Sequence, residues 1–538
     1  MGKWGRIEAG LASSKLVSKL ETGSRILDKN EFRVSRTSND TSIDNLKRNC
    51  PARRESSRLR SPPSRGQACP CGSRGGFVAL RRRKGTRLAG TQRNRFMRLI
   101  LLDSPNPDSI GRGNFYPMAL SHPLWELRCG FTSLGQKLVD KVGVSDVAYF
   151  VADYMADSYR AKAESAGSPV NPAPRRGRVN DSSILDGDDL LVLDPRVKAE
   201  SFDIAAKGPS EVGLDEQGSL LYARITKDDL TRLPTDEIGK FITEAKERLP
   251  NVRSALPTWR YIWDLILANA EQITADFAAA AQYGIEGTVE QPNAIRGSKK
   301  DVYIAPGAMV HPMVVIDTEH GPVYIDEDAE IHPFTRIEGP CYIGKKTILL
   351  GAKCHEGNSI GPLCRIGGEV EESIIQGYSN KYHDGFLGHA YVGEWVNLGA
   401  FTTNSDLKND YSTVSVMLDG RRAIDTGSVK VGSLIGDHVK TSIGTLFNTG
   451  SYVGPMALIM GTGKPLPKFI PAFAWFIEGI VTKGFGKGKL YETAKMAMSR
   501  RDCQWTQAEQ SMWDAVFEMT APMRNQAIKK GRRAMLNR

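Results

Sequence analysis

The stretch IAPGAMVHPMVVI, residues 304–316, places an aliphatic residue at every sixth position, in Ile304, Val310 and Ile316. Hexapeptide repeats are typical of a parallel β-helix, in which each six-residue unit forms one flat side of a triangular prism. The sequence therefore predicts such a prism over 302–462, and the length of the register disfavours another all-β fold. The later positions in this spacing are Ile325, Ile331, Ile337, Ile343, Ile360, Ile366, Val392, Leu398, Ile435, Thr441, Phe447, Val453 and Ile459.

The repeat is interrupted once and then ends. Residues 404–432, NSDLKNDYSTVSVMLDGRRAIDTGSVKVG, are polar and lose the six-residue spacing. Insertions in solenoids become loops on one face, and such loops are often functional. After 463 the segment KPLPKFIPAFAWF is expected to leave the prism, and 484–538 is predicted to be helical and to pack on the prism or close one end.

Upstream of the repeat the pattern changes to strands alternating with longer segments. RLILLD (98–103) and LLVLDPR (190–196) are short apolar runs of the kind that form buried strands, which predicts a small α/β unit over 97–230. Two helices are predicted to follow as a connector, the first capped by Thr235 and the second, over 258–284, ending at Gly284.

The net charge of +11 is concentrated at one end of the chain. Residues 1–96 hold 23 Lys and Arg against 7 Asp and Glu, whereas the remainder has a net charge of −5. This segment is rich in Arg, Ser, Gly and Pro and is expected to be disordered. A nucleic-acid-binding tail carried by 81–84 (RRRK) and a targeting segment are alternatives. We favour a third reading, in which the functional chain begins in effect at Met97, and we expect no nucleic-acid partner.

Hydropathy and the pattern of cysteines indicate the cellular compartment that we expect for the protein. No run of about 18 apolar residues is present, so we expect neither a transmembrane helix nor a membrane partner. With no secretory signal, the cysteines are expected to be reduced thiols of a cytoplasmic protein, and the spacing of Cys50, Cys69 and Cys71 fits no paired zinc-ligand pattern.

Residues 377–404, GYSNKYHDGFLGHAYVGEWVNLGAFTTN, carry the most chemical information. With the preceding EVEES they resemble the C-terminal half of the bifunctional N-acetylglucosamine-1-phosphate uridyltransferase/glucosamine-1-phosphate acetyltransferase family, over about 285–465. The resemblance implies a left-handed β-helix that transfers an acetyl group from acetyl-CoA, in a homotrimer whose active sites lie between subunits.

The resemblance also assigns roles to individual residues. His383 falls at the family's general-base position, where a neutral imidazole takes a proton from the attacking sugar amine. Taken alone, His383 would more often be a solvated loop residue, and His389 ranks second. The implied contacts to the sugar phosphate and its surroundings are Phe386, where the family usually has Tyr, Asn404, Lys408, Arg421, Arg422 and Lys430. The implied contacts to acetyl-CoA are Ala400, Ser433, Thr441 and Ser442.

A second resemblance concerns the N-terminal unit. HPLWELRCGFTSLGQKL (122–138) is similar to the opening of the sugar nucleotidyltransferases that are fused to β-helices in alternative members of the same family. It implies that Arg128 and Lys137 are the cations that meet a phosphate or nucleotide. From the residue types alone, we also expect Asn180 to contact the nucleotide and the acids Asp186 and Asp188 to offer carboxylates to Mg²⁺. The alternative is that these are ordinary surface charges and a turn.

Together these observations predict an α/β nucleotidyltransferase-like domain joined to a left-handed parallel β-helix with a helical C-terminal tail. The predicted bounds are a basic extension at 1–96, the α/β domain at 97–230, a helical connector at 231–290, the β-helix at 291–465 and the tail at 466–538. The expected substrates are a sugar phosphate, a nucleoside triphosphate and an acyl-CoA. The alternatives are a transferase with one activity whose other domain is a scaffold, and a non-catalytic trimeric binding module.

Overall fold

The computed structural model describes residues 98–103, 111–164, 178–205 and 207–536. The predictions made for residues 1–96 lie outside these ranges. Within them, no helix combines the length and the apolar character that crossing a membrane requires.

The N-terminal part is built on a six-stranded sheet, whose strands are β1 Arg98–Leu102, β2 Asp146–Phe150, β3 Leu190–Leu193, β4 Glu211–Leu214, β5 Leu220–Ile225 and β6 Asn251–Arg253. Their order in the sheet is β2-β1-β3-β5-β4-β6. The neighbours β1, β2 and β3 are parallel, β5 runs antiparallel to both β3 and β4, and β6 is parallel to β4. The apolar runs quoted above form β1 and β3, as predicted.

Helices cover this sheet and lead into the prism. They are α1 Leu134–Val142, α2 Asp153–Glu164, α3 Lys227–Leu230, α4 Ile238–Arg248, α5 Ile262–Leu267 and α6 Asn269–Ala280. Short 3₁₀ turns lie at Arg112–Phe115, Met118–Leu120, Leu124–Glu126, Ser182–Leu185, Ala199–Ser201 and Lys299–Asp301.

Two details of the helical connector were predicted wrongly. Thr235 does not cap α4, since the helix begins at Ile238 after an extended Glu237 that makes no side-chain cap bond. Gly284 does not end α6, because the left-handed backbone of Ala281 (φ 49°) already does so and Gly284 belongs to a strand.

The C-terminal part is a left-handed parallel β-helix of about 11 turns, a solenoid with three flat walls. The first wall has ten strands: Gly284–Ile285, Val302–Ile304, Val323–Ile325, Cys341–Ile343, Asn358–Ile360, Ile374–Gly377, Tyr391–Glu394, Leu434–Ile435, Tyr452–Val453 and Phe469–Ile470. The second wall contains Thr288–Val289, Met309–Val310, Glu330–Ile331, Asn380–Lys381, Lys440–Thr441, Leu458–Ile459 and Trp475–Ile477, with Ile480–Thr482 antiparallel at its end. The third contains Ala294–Arg296, Val315–Asp317, Arg336–Glu338, Phe386–Gly388, Thr403–Asn404 and Leu446–Phe447, while Ile348–Cys354 and Arg365–Glu371 run through both walls.

The six-residue spacing is explained by the core of this prism. Ile304, Val310 and Ile316 are at most 2% exposed and belong to one apolar cluster that follows the axis. Neighbouring coils place equivalent residues in register, as in Ile325 opposite Ile343 and Ile343 opposite Ile360. Each aliphatic side chain therefore stacks on those of the coils above and below, which confirms the predicted β-helix.

The interruption and the tail form separate elements. The insertion contains a hairpin of Ser415–Met417 and Ala423–Asp425. Pairing continues past the predicted end of the prism at 465, because Phe469–Ile470 and Trp475–Ile477 extend two walls. The tail is helical as expected, with α7 Gly486–Ser499, α8 Gln507–Met519 and α9 Ala521–Leu536. The domain bounds as a set stay predictions.

The α/β part and the prism share a buried polar contact. Nε2 of His122 lies 2.8 Å from Oδ2 of Asp437, and the Ser121 hydroxyl donates to the same oxygen at 2.7 Å. Asp437 Oδ1 accepts a hydrogen bond from the Glu394 amide at 2.8 Å. All four residues are less than 9% exposed. The two parts are therefore joined by specific polar bonds as well as by apolar packing.

Candidate functional site

A cavity of about 1020 Å³ lies between the second wall of the solenoid and helix α7. His383 lines it, together with Gly399 and Ala400 from the next coil. Its aromatic lining includes Trp395 and Tyr378, whose rings stack at 4.3 Å. The other polar or charged lining residues are Arg365, Asn380, Tyr382, Asn397, Lys440, Lys489, Glu492, Thr493, Arg500 and Arg501.

The cavity is strongly basic. Lys489 is paired with Glu492 at 2.9 Å, but in the described part of the chain Arg365, Lys440, Arg500 and Arg501 form no ion pair. Burial and the neighbouring Arg501 guanidinium lower the pKa of Arg365. Such a group of uncompensated cations favours binding of a multiply charged anion.

Lys440 also lines this cavity. Its Nζ donates to the main-chain oxygens of Trp395 at 2.5 Å and His438 at 3.1 Å. Burial lowers its pKa to about 7, so this amine is partly neutral near physiological pH. A phosphate or carboxylate close to this amine would favour its protonated, charged form.

His383 lies on an exposed turn after the strand Asn380–Lys381. The ammonium of Lys381, which is buried, donates to the main-chain oxygens of His383 at 3.0 Å and Gly367 at 2.7 Å, so the turn is fixed from below. The Tyr382 ring packs against the imidazole edge-on at 4.9 Å. The imidazole is thus held at the cavity wall and is accessible to a substrate.

The predicted sugar contacts are not gathered around His383. The amide of Phe386 donates to the Thr403 hydroxyl at 3.3 Å. Asn404 is buried, and its side-chain amide both donates to and accepts from the main chain of Gly388 at 2.8 Å. Asn404 therefore ties two coils of the third wall together, and neither residue lines the cavity.

The predicted cations of the insertion are also engaged elsewhere. Lys430 pairs with Glu371 at 2.9 Å, and Lys408 donates to the Ser412 hydroxyl at 3.0 Å. Arg421 and Arg422 are exposed beside the hairpin turn, where their main-chain amides bind the Asp419 carboxylate. None of the four lines the cavity.

Three of the predicted acetyl-CoA contacts are part of the solenoid framework. The Thr441 hydroxyl accepts from the Gly399 amide at 2.9 Å, and the Ser442 hydroxyl accepts from the Gly461 amide at 2.7 Å. Ser433 is fully buried. Ala400 is the member of this group that lines the cavity beside His383.

His389 forms a buried ion-pair cluster of its own. Its Nδ1 lies 2.8 Å from Asp406 and its Nε2 lies 3.0 Å from Glu372. Burial alone would lower the pKa of His389, but hydrogen bonds to the two carboxylates outweigh it and raise the pKa to about 9. An imidazole held in the protonated form does not act as a base at neutral pH, so this geometry favours His383 over His389.

In the α/β part, polar residues meet at the carboxyl ends of β1, β2 and β3. Asp103 is buried against Arg112, and Asp194 pairs with Arg196 at 2.5 Å. Asn180 joins them, since its side-chain amide exchanges two 2.8 Å hydrogen bonds with the main chain of Val151. In open α/β sheets, ligands bind at this edge, where the strand order reverses.

The other predicted nucleotide and metal residues lie elsewhere. Arg128 is buried against the solenoid, 5.5 Å from the centre of the Tyr342 ring, and Lys137 pairs with Asp276 of α6. Asp186 and Asp188 precede β3 and so lie at the opposite edge of the sheet, where the Arg98 guanidinium binds their main-chain oxygens. The structure thus brings Asn180 to the carboxyl edge and leaves the other four residues away from it.

Sequence reasoning missed the cavity cations and the pair Asp103–Arg112. Asp103 did carry a signal in the sequence, since it directly follows an apolar strand and acids in this position gather at the carboxyl edge of a parallel sheet. Arg500 and Arg501 carried no such signal, since their place depends on which coils α7 packs against.

Residues 107–283 match the family model described as sugar nucleotidyl transferase. A bifunctional sugar-1-phosphate nucleotidylyltransferase/acetyltransferase of Sulfurisphaera tokodaii is 37% identical over 151 residues, covering 26% of this chain and 35% of that protein. Bifunctional protein GlmU of Acidovorax ebreus is 35% identical over 113 residues, covering 21% of each chain. GlmU of Thermotoga petrophila is 27% identical over 196 residues, covering 31% of this chain and 40% of that protein.

These matches are partial, since the chain spans between about a fifth and two fifths of the length of these relatives. A solved UDP-N-acetylglucosamine acyltransferase from Arabidopsis has 13% identity and a TM-score of 0.20, with 47% of this chain and 92% of that chain covered, a similarity too low to support any inference. The predicted resemblance is confirmed over the matched parts of the chain, and the matches support a transferase enzyme.

Proposed function

We propose that the solenoid transfers an acetyl or longer acyl group from acyl-CoA to the amine of a hexosamine 1-phosphate, with His383 as the general base. The observation that carries this proposal is that His383 lines the same cavity as Arg365, Arg500 and Arg501, three arginines without an ion-pair partner in the described residues. Coenzyme A carries a pyrophosphate and a 3′-phosphate, and therefore has the charge that such a cavity attracts.

The proposed acyl transfer needs few groups besides the base His383 and a bound acyl-CoA. His383 takes a proton from the attacking amine, which forms a bond to the thioester carbonyl carbon. The carbon–sulfur bond then breaks and the thiolate of coenzyme A leaves.

The acyl-transfer proposal is tested by release of free coenzyme A with acetyl-CoA and glucosamine 1-phosphate. His383→Ala is expected to lower kcat by about 10²–10⁴-fold, the usual contribution of a general base. His320→Ala removes another exposed histidine, one that does not line the cavity, and serves as the matched control. Full activity of His383→Ala would show that the catalytic assignment is wrong.

For the N-terminal domain we propose nucleotidyl transfer to a sugar 1-phosphate at the carboxyl edge formed by Asp103, Asn180 and Asp194. The family match over 107–283 and the position of this edge support it. The triphosphate substrate is expected to bring Mg²⁺, as in nucleotidyl transfer generally. Asp103 and Asp194 each already bind an arginine, however, so the described residues do not form a magnesium site at this edge.

Because Asp103 and Asp194 both bind arginines, a second candidate function is also favoured, in which the chain has acyltransferase activity only. In this case the α/β domain is a scaffold that holds the solenoid through Arg128 and His122. Pyrophosphate release from UTP and N-acetylglucosamine 1-phosphate by the wild type separates the two candidates. Asp103→Asn should abolish this activity if the edge is catalytic, and no release under any condition would favour the scaffold.

We also propose a homotrimer in the cytoplasm. The edge between the second and third walls carries exposed apolar side chains on two neighbouring coils and, after two coils that have glycine at this edge, on four more successive coils. Groups of exposed apolar side chains mark interaction sites. His383 lies on this same edge, so a partner packed there would contact the acyl-transfer site. The apolar side chains of this edge are Met313, Phe334, Tyr382, Phe401, Ile443 and Met460, which are 46–75% exposed.

A further inference from the structure

Two histidines and two glutamates form a ladder on the second wall, in coils that do not line the His383 cavity. His311 and His332 follow equivalent strands of neighbouring coils, and their rings lie 5.0 Å apart. Glu330 precedes His332 by two residues and points to the same face, because side chains alternate along a strand. Glu290 follows the equivalent strand of the preceding coil.

The atoms of this ladder are spaced as metal ligands. Nε2 of His311 lies 3.1 Å from Oε1 of Glu330, and Nε2 of His332 lies 3.2 Å from the same oxygen. One ligand atom from each of the three residues can be chosen so that all lie within 4.8 Å of one another. Ligand atoms about 2.0–2.1 Å from a tetrahedral zinc ion are themselves separated by roughly 3.3 Å, which matches these two distances.

A carboxylate also supports the ring of His311 from its other side. Oε2 of Glu290 lies 3.1 Å from Nδ1 of His311. A histidine bound to a metal almost always donates its other ring N–H to such a carboxylate, which fixes the tautomer and directs the lone pair at the metal. Glu290 holds this position and leaves Nε2 of His311 facing Glu330 and His332.

We propose that His311, Glu330 and His332 bind Zn²⁺, with Glu290 orienting His311. Three protein ligands leave the fourth tetrahedral position to solvent, in keeping with side chains that are 27–39% exposed. The site lies on the outer surface of the solenoid and does not depend on the proposed acyl or nucleotidyl transfer. Because the imidazoles must be deprotonated to bind the metal, binding should weaken as the pH falls.

The solenoid supplies a matched control. His355 also bridges two carboxylates, with Nδ1 3.2 Å from Glu338 and Nε2 3.2 Å from Glu369, but among the residues that the structure describes no second histidine joins it. It has a similar exposure, 33% against 27% for His311. A histidine held by two carboxylates alone should make no comparable contribution to zinc binding.

The test is calorimetric titration of the untagged, chelator-treated full chain with Zn²⁺, repeated with Co²⁺ to read the ligand type from the visible spectrum. The wild type is expected to bind one ion that His332→Ala and His311→Ala weaken by more than about a hundredfold, and Glu290→Gln by roughly 10–100-fold, as for outer-shell carboxylates. His355→Ala should bind this ion as the wild type does.

Two results would overturn the proposal. One is a wild type that takes up no Zn²⁺ under these conditions. The other is a His311→Ala or His332→Ala variant that binds as many ions with unchanged affinity, which would locate any binding at other groups such as the cysteine thiols, recognisable by thiolate-to-Co²⁺ bands. Far-UV circular dichroism of each metal-free variant checks that the exposed substitutions leave the fold intact.

Discussion

The imidazole of His122, in the α/β part, lies 2.8 Å from the Asp437 carboxylate of the solenoid, and both side chains are at most 4% exposed. Burial alone would lower the pKa of His122, but the charge of Asp437 and its hydrogen bond raise the pKa to about 10. The same pairing keeps the pKa of Asp437 well below its usual range despite its burial. The α/β part and the solenoid are therefore joined by a charged pair at neutral pH.

Removal of one partner of this pair should destabilise the chain strongly. His122→Ala leaves the Asp437 carboxylate buried without its counter-ion, and breaking such a pair typically costs about 3–5 kcal/mol. Urea unfolding measures the loss, with His320→Ala as the exposed control. A double variant, His122→Ala with Asp437→Asn, should lose less than the two single changes added together. Additive losses would show that the pair is not coupled.

Stability should also fall in alkaline solution. The folded-state pKa values of His122 and His389 lie near 10 and 9, above the value of about 6.5 for an unfolded histidine. Their stabilisation is thus fully present below about pH 6.5 and is lost as the pH rises toward 9 and 10. The unfolding free energy from pH 6 to 10 measures this decline, which His389→Gln should reduce between pH 6.5 and 9. An equal decline in that variant would contradict the assignment.

The cavity cations should act on the nucleotide end of acyl-CoA. Replacing Arg501 by Gln removes a charge-assisted hydrogen bond to phosphate, worth about 1.5–3 kcal/mol, and should raise the KM for acetyl-CoA by roughly tenfold or more. Acetyl-pantetheine lacks these phosphates, so its KM should not change. Arg253→Gln, at an exposed arginine of β6, is the control. A similar rise for both substrates would indicate a general distortion of the site.

The apolar edge of the prism should carry the subunit contact. Phe334 and Phe401 are 75% and 66% exposed on this edge, and a carboxylate at either position cannot be buried without a large desolvation cost. Phe334→Asp is therefore expected to convert a trimer to monomers in size-exclusion chromatography with light scattering. Phe485→Asp alters an equally exposed ring, 80%, that lies off this edge, and should leave the assembly unchanged. A wild type that elutes as a monomer would contradict the proposed trimer.

Truncation of a side chain that is buried on the axis of the prism should lower the free energy of unfolding strongly. Ile343 is fully buried between Ile325 and Ile360, so Ile343→Ala is expected to cost about 2–5 kcal/mol. Ile285 occupies the first coil of the same wall but is 49% exposed, and Ile285→Ala should change the unfolding free energy by less than about 0.5 kcal/mol. Thermal unfolding compares the two variants. Equal losses would mean that the axial stacking does not carry the stability of the prism.

The β-helix could be predicted from the sequence because its six-residue spacing repeats along the chain. Most residues of the candidate site could not be predicted in this way. Ile304, Val310 and Ile316 revealed the prism because the six-residue period is a property of neighbouring residues. Asn404 and Thr441 lie in similar positions of the pattern, yet their side chains bind the main chain of adjacent coils, a use that spacing alone does not distinguish from ligand binding. Arg365 and Arg501 are 136 positions apart, and only the packing of α7 brings them together.

Helix α7 supplies one side of the His383 cavity and follows the last coils of the prism in the chain. During synthesis, coils of a solenoid can stack one after another as they leave the ribosome, since each needs only its neighbour. The cavity, by contrast, cannot exist until residues 486–501 have emerged. A polypeptide released before that point would contain a stacked prism with a complete axis but without the α7 side of the cavity, so the fold and the proposed acyl-transfer site are completed at different moments of translation.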